Sequence, residues 1–191
     1  MTAQPTGHVT WSPDLTKQRS SSYTLEDVLQ LPDDAPRVEL RDGVMTVVPS
    51  PTGGHQNIGN LLWLWFRQHA PLDFEPVTAV GVAVSHKSAF EPDVVLLRRP
   101  VDGDTHYYSA EQVLIAVEVV SPGTRRRDRF ETLGDYAAAG IAHYWRIEQK
   151  PIHVFAYDLV DGQYQLAGDS ADVLTLRKPF DIELRVRDIT P

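Results

Sequence analysis

The sequence predicts a mixed α/β (α+β) fold: a central mixed sheet with helices packed on it and a β-hairpin toward each end. Three observations lead there. The run from Val113 to Val120 is almost wholly apolar, as a central strand covered on both faces must be. From His55 to His69 the apolar positions Ile58, Leu61, Leu62, Trp65 and Phe66 recur at helical spacing. Two pairs of β-rich runs surround Asp42-Gly43 and Asp161-Gly162, dipeptides that favour tight turns.

A chain of 191 residues fits a single domain, placed at 23–191. A hydrophobic fraction of 42% is enough for a core, and 23% charged residues is ordinary. Residues 1–22 are polar and rich in Pro and Ser, and a flexible N-terminal arm is expected there. Thr24 can cap a short helix with Asp27 in the reciprocal position, and Pro32 ends it. Val38-Glu39-Leu40 and Val44 to Val48 then form the first hairpin. Pro49, Pro51, Gly53 and Gly54 mark a loop before the long helix. Strands follow at Val77 to Val84, Asp93 to Leu97 and Val113 to Val120. Ser121-Pro122-Gly123 breaks the third, and a helix from about Arg126 to Ala139 closes at Gly140. Tyr144 to Ile147 reads as a strand, Ile152 to Tyr157 and Tyr164 to Leu166 as the second hairpin, and Phe180 to Val186 as a last strand. Tyr136, Tyr144 and Trp145 read as core aromatics.

Composition excludes several chemistries. With no cysteine there is no disulfide, no thiolate-bound zinc and no cysteine nucleophile. No Gly-x-Ser-x-Gly elbow occurs, so serine-hydrolase chemistry has no support. The apolar runs are far shorter than the roughly 20 residues that span a bilayer. No basic segment followed by an apolar run opens the chain. A soluble cytoplasmic protein without membrane partners is therefore the expectation. A net charge of −8 argues against coating nucleic acid through a global positive field. Local basic runs exist at Arg98-Arg99 and at Arg125, Arg126, Arg127 and Arg129; either also reads as a solvated face.

Glu118 is the sharpest chemical clue, because it interrupts an otherwise apolar strand. An ionised carboxylate there is costly unless paired with a cation or a metal. The alternatives are an edge-strand residue facing water or one held by an internal arginine. Asp93 follows Pro92 and opens the apolar run Val94 to Leu97; alone it also reads as an ordinary turn aspartate. Together, on neighbouring strands, the two can bring paired carboxylates to one sheet edge. Oxygen ligands alone favour a hard ion, Mg²⁺ or Mn²⁺, which can activate water and brace a phosphoryl oxygen. Paired carboxylates also serve glycoside hydrolysis, but no aromatic sugar cleft is suggested by the flanking sequence.

Several motifs carry a resemblance. Val-Glu-Leu-Arg-Asp-Gly (38–43), Glu-Pro-Asp-Val-Val (91–95), Val-Glu-Val-Val-Ser-Pro (117–122), Arg-Arg-Asp-Arg (126–129), Tyr-Ala-Ala-Ala-Gly-Ile (136–141) and His-Tyr-Trp-Arg-Ile (143–147) follow one another in order. They resemble the Uma-type restriction endonucleases of the PD-(D/E)XK nuclease superfamily, from about Tyr23 to Asp158. The resemblance implies a restriction-endonuclease-like central sheet and a Mg²⁺-dependent (or Mn²⁺-dependent) phosphodiesterase acting on nucleic acid, with DNA expected. It places the metal on Asp93 and Glu118, adds Glu39 to the acidic site, and matches His55 to a family histidine. The backbone carbonyl of Val119 is expected to complete the metal site, and His55, which also reads as a helix-cap or surface histidine, to bind substrate. A homodimer is a further expectation, since many members of the superfamily self-associate.

The sequence also departs from the pattern. The superfamily supplies a lysine, in the simple motif two residues after the glutamate, where Val120 stands here. In the Uma-type members it sits on the following helix, at the place of Thr132. Asp128, Thr132 and Tyr136 are four apart and share a helix face. A hydroxyl can hold a water but brings no charge, so transition-state stabilisation loses a strong contribution there. Arg125, Arg126 and Arg129, near the start of that helix, are candidates to clamp phosphate. Two functions follow: an endonuclease, or a catalytically impaired nuclease-fold protein that binds nucleic acid or a partner.

Overall fold

The computed structural model describes residues 22–32, 34–120 and 132–191. The expected N-terminal arm, the Ser121-Pro122-Gly123 break, and Arg125, Arg126 and Arg129 lie outside them. Helix α1 (Leu25–Leu29) starts as the sequence predicts: the Asp27 N–H donates to Thr24 Oγ1, and the Asp27 carboxylate accepts the Thr24 N–H at 2.9 Å. Strands β1 (Val38–Arg41) and β2 (Val44–Val47) pair antiparallel across Asp42 and Gly43. Both turn residues have positive φ, 49° and 77°, as a two-residue hairpin turn of this hand demands. Helix α2 (Gly53–His69) begins at the Thr52 cap.

Next come β3 (Phe74–Val77), β4 (Gly81–Ser85), β5 (Ser88–Phe90), β6 (Val94–Arg98), β7 (Tyr107–Ser109) and β8 (Val113–Val120). The single strand expected from Val77 to Val84 is two strands in two different sheets. Ala79 lies between them at φ 57°, a left-handed conformation that no strand can pass through. The short strands β5 and β7 were not expected either, since three residues are too few to show alternation. The chain continues with α3 (Thr132–Ala138), β9 (His143–Gln149), β10 (Ile152–Val160), β11 (Gln163–Ser170), β12 (Val173–Leu176) and β13 (Ile182–Arg185). As expected, Gly140 follows α3 with φ 78°, and the β10–β11 turn uses Asp161 and Gly162 at 51° and 77°.

The strands form a six-stranded sheet, β11-β10-β9-β8-β6-β3, a five-stranded sheet, β2-β1-β5-β4-β7, and the ribbon β12-β13. In the six-stranded sheet only β8 and β9 run parallel; the other neighbours are antiparallel. Its two faces bury different cores. On one, Ile58, Leu62 and Phe66 of α2 pack with Trp145 of β9 and with Leu174 and Leu184 of the ribbon. On the other, Tyr136 of α3 meets Tyr144, Val95, Ala116 and, from the five-stranded sheet, Phe90. Tyr136 and Tyr144 are fully buried, and Trp145 nearly so, as the sequence reading expects of all three. Among the described residues, no helix is long and apolar enough to cross a membrane.

His143, at the start of β9, is buried with its Nδ1 2.7 Å from Asp158 Oδ1. Burial, the largest influence, holds its pKa below the usual value, against the raising effect of Asp158 and with Arg98 and Lys178 adding to the depression. A depressed pKa means that the unfolded chain binds the proton first as pH falls. Stability contributed by the neutral ring is then lost as pH drops below about 6.5 toward the folded-state value. Thermal melts from pH 7.5 to 5.5 should show the parent losing ground relative to a His143→Gln variant. A constant gap between the two would contradict this assignment.

Candidate active site

The register of the six-stranded sheet builds the site. Val94 pairs with Val117 in the antiparallel β6–β8 ladder, so Asp93, one residue before β6, stands opposite Glu118. Glu118 in turn pairs with Arg146 of β9, and Arg146 with Phe155 of β10. Because side chains alternate along strands, this row lies on one face. It is the face that also holds Val95, Ala116 and Tyr144, covered by α3. The two carboxylates expected from sequence are therefore cross-strand neighbours at the end of β6.

Asp93 is pinned by backbone. Its N–H donates to Val117 O at 3.0 Å, and its Oδ2 accepts the Val119 N–H at 2.7 Å. Within a strand a residue's N–H and C=O point to the same side. The Val119 carbonyl therefore lies on the Asp93 side of β8, beyond the end of β6. Burial pushes the Asp93 carboxyl up, opposed by His55, the Val119 N–H and Arg37, and reinforced by the negative charge of Glu39. His55 sits in the first turn of α2 with Nε2 3.4 Å from Asp93 Oδ2 and little exposure. Its ring is thus turned onto the carboxylate rather than out to solvent.

Glu118 is held from the helix side. Tyr136, one turn after Thr132 on α3, donates its hydroxyl to Glu118 Oε1 at 2.9 Å. Burial, first, and then Glu118 keep the phenol well above its ordinary pKa, so it remains a donor. The sequence reading put Tyr136 in the core and missed this contact, because burial and a polar tip are compatible in tyrosine. Orienting partners of a ligand are commonly worth ten- to hundredfold in metal affinity. Tyr136→Phe should therefore weaken Mn²⁺ binding by about tenfold in a calorimetric titration without substrate. An unchanged affinity would leave Tyr136 a packing residue only.

Glu39 arrives from the other sheet. In β1, Val38 and Leu40 point into the core, so Arg37, Glu39 and Arg41 share the opposite face. The charge of Glu39 is felt at Asp93, Tyr107 and Tyr136, so β1 turns it toward the side of the molecule that carries the carboxylate pair. Arg37 is braced on Glu91: its Nε lies 2.7 Å from the Oε2, and its NH2 donates to the Glu91 carbonyl at 2.5 Å. Tyr107 adds its hydroxyl to the same carboxylate at 3.3 Å. Thr132 opens α3, is 4% exposed, and accepts a hydrogen bond from Arg41 NH2 at 3.1 Å. Arg41 also pairs with Asp135. Neither Arg37 nor Arg41 stood out in the sequence, although the alternation in Val38–Arg41 was available as a signal.

A divalent cation fits this donor set in kind. Asp93 and Glu118 are neighbouring oxygen donors on one face, Asp93 is largely buried, and the Val119 carbonyl is turned to the same side. Among the described residues no three acidic or histidine side chains converge on one point. The set is a pair of carboxylates completed by backbone, not a side-chain cage.

The mixed sheet is a nuclease-like fold, and the carboxylate pair lies between its neighbouring strands β6 and β8. The chain belongs to the Uma2 family, described as "Putative restriction endonuclease", which it matches over residues 25–187. Among solved structures it is similar to "a putative nuclease belonging to DUF820" from Anabaena variabilis. That similarity has a TM-score of 0.69 at 18% identity and covers 87% of this chain and 97% of the other. At that identity the likeness speaks for the fold. No curated protein sequence matches. Family and fold support a nuclease function in general, with nucleic acid as the substrate class the family implies.

Proposed function

We propose that the protein is a divalent-metal-dependent endonuclease that hydrolyses phosphodiester bonds in DNA, with Mg²⁺ or Mn²⁺ held by Asp93, Glu118 and the Val119 carbonyl. The observation that carries this reading is the cross-strand placement of Asp93 opposite Glu118, with Asp93 Oδ2 fixed on the Val119 N–H at 2.7 Å. When bound, a hard cation supplies Lewis-acid stabilisation of phosphoryl charge and makes a water more acidic. The chain's own residues do the rest. Val119 and His55 hold the Asp93 carboxylate in one orientation, and Tyr136 does the same for Glu118. Glu39, across the seam between the sheets, extends the acidic wall and can accept a proton from an attacking water. In the reaction the water oxygen bonds to phosphorus, the ester P–O bond breaks, and the leaving oxygen takes a proton from solvent.

A second reading, a nuclease-fold protein that binds nucleic acid or a partner without cutting, is favoured by one observation. Thr132 presents a hydroxyl and no charge where the family resemblance calls for lysine. One assay separates the two. Supercoiled plasmid and single-stranded DNA are incubated with Mg²⁺ or Mn²⁺, beside EDTA and an Asp93→Asn control. Metal-dependent nicking that the control lacks supports the enzyme; binding without nicking by folded protein supports the second reading.

A further inference from the structure

The carboxylate pair collects negative charge, and a phosphodiester brings more. Hydrolysis adds charge to the phosphoryl oxygens in the transition state, so a fixed cation beside the site would add to the stabilisation that a metal supplies. We propose that Arg41 is that cation: a catalytic residue whose guanidinium braces the phosphoryl group, reaching from the β1–β2 hairpin to the place where Thr132 offers only a hydroxyl. The assignment rests on the nuclease reading above and deepens it.

Three contacts fix the guanidinium there. One terminal nitrogen pairs with Asp135 of α3, and the other donates to Thr132 Oγ1 at 3.1 Å. The guanidinium carbon lies 4.5 Å from the centroid of Phe90. Phe90 in turn meets Tyr136 edge-to-face at 5.9 Å, and Tyr136 holds Glu118. Arg41 is thus one aromatic layer from the Glu118 anchor, and it shares a strand face with Glu39. A guanidinium has five N–H donors in a planar fork, and the Asp135 and Thr132 contacts occupy a minority of them. The side chain is 23% exposed, so a phosphate can reach it. Arg37 and Arg146 are less suited. Arg37 is braced by both the carboxylate and the carbonyl of Glu91. Arg146 lies over Phe155, at 4.4 Å from its centroid, and pairs with Glu148. Arg41 transfers no proton in this role; it donates hydrogen bonds and charge while water attacks and the ester bond breaks.

Arg41→Gln removes the charge and leaves a neutral amide donor on a shorter side chain. Plasmid cleavage should fall by roughly a hundred- to a thousandfold, the usual loss when one preorganised donor to a transition state is removed. In EDTA, where neither the metal nor cleavage contributes, the dependence of duplex-DNA binding on salt should weaken by about one phosphate contact. Thr132→Lys in the Arg41→Gln background should restore at least about tenfold of the lost rate, because it returns a charge from another backbone position. Asp135→Asn should cost no more than about tenfold, since it frees the guanidinium instead of deleting it. Melting curves confirm that each variant is folded. Equal losses in Arg41→Gln and Asp135→Asn would mark a structural bridge and overturn the proposal, as would Arg41→Gln cleavage within about threefold of the parent. If the parent itself does not cut with any metal, the nuclease reading falls and takes this one with it. If the parent cuts and Arg41→Gln cuts equally well, this one falls alone.

Discussion

Asp93→Asn is expected to reduce metal-dependent cleavage by at least about a thousandfold and, in EDTA, to raise the melting temperature. The two effects have one origin. Asp93 is a carboxylate taken out of water, and its charge is destabilised chiefly by that burial. His55, the Val119 N–H and Arg37 compensate in part, while Glu39 works against them. Asparagine keeps an oxygen for the Val119 N–H and removes the charge, so the metal-free fold is relieved. Cleavage is lost because an amide oxygen is a weak ligand for a hard divalent ion. Excess Mg²⁺ should then stabilise the parent and not the variant, since a ligand stabilises only the form that binds it. Scanning fluorimetry with and without Mg²⁺ reads all of this. A variant that melts below the parent in EDTA would mean that the carboxylate is fully compensated by the protein alone.

The largest expected loss of stability follows from Trp145→Ala. Trp145 is 1% exposed, lies beside Val117 in the parallel β8–β9 register, and meets the Phe66 ring of α2 at 5.3 Å. It therefore joins the central sheet to the long helix and to the ribbon β12-β13, whose Leu174 and Leu184 belong to the same core. Truncating a buried aromatic to alanine typically costs about 3–5 kcal/mol, against a total of about 5–15 kcal/mol for a domain. Urea titration should show the midpoint falling accordingly. Trp145→Phe, which keeps most of the buried volume, should lose less than half as much. Similar losses for both would mean that the indole N–H, not the packing, is what matters.

The elements with long-range repetition were legible in the sequence. Helix α2 announced itself by its apolar spacing, β8 by its uninterrupted apolar run, and the two hairpins by Asp-Gly turns. The neighbouring placement of Asp93 and Glu118 was legible because Glu118 interrupts one apolar run and Asp93 opens another. What the sequence hid is the second sheet. Strands β5 and β7 are three residues each, too short for a period to show, and the turn at Ala79 has no glycine or proline to mark it. With that sheet hidden, so was the meeting of Arg41 with Thr132, 91 residues apart. Local pattern carries no information about which distant hydroxyl a guanidinium reaches.

The Glu91-Pro92-Asp93 connection has a mechanical meaning. Strand β5 ends at Phe90 in the five-stranded sheet, and β6 begins at Val94 in the six-stranded sheet. Three residues therefore form the strap between two slabs, with a buried proline at its centre to stiffen it. Glu91 ties the strap to Arg37 on one slab, and Asp93 ties it to Val119 on the other. A load that slides or opens the slabs therefore meets almost no slack in this strap before it moves Asp93. The position of Asp93 opposite Glu118 thus depends on how the two sheets sit against each other, and a substitution that loosens Glu91 from Arg37 is expected to be felt at the acidic pair.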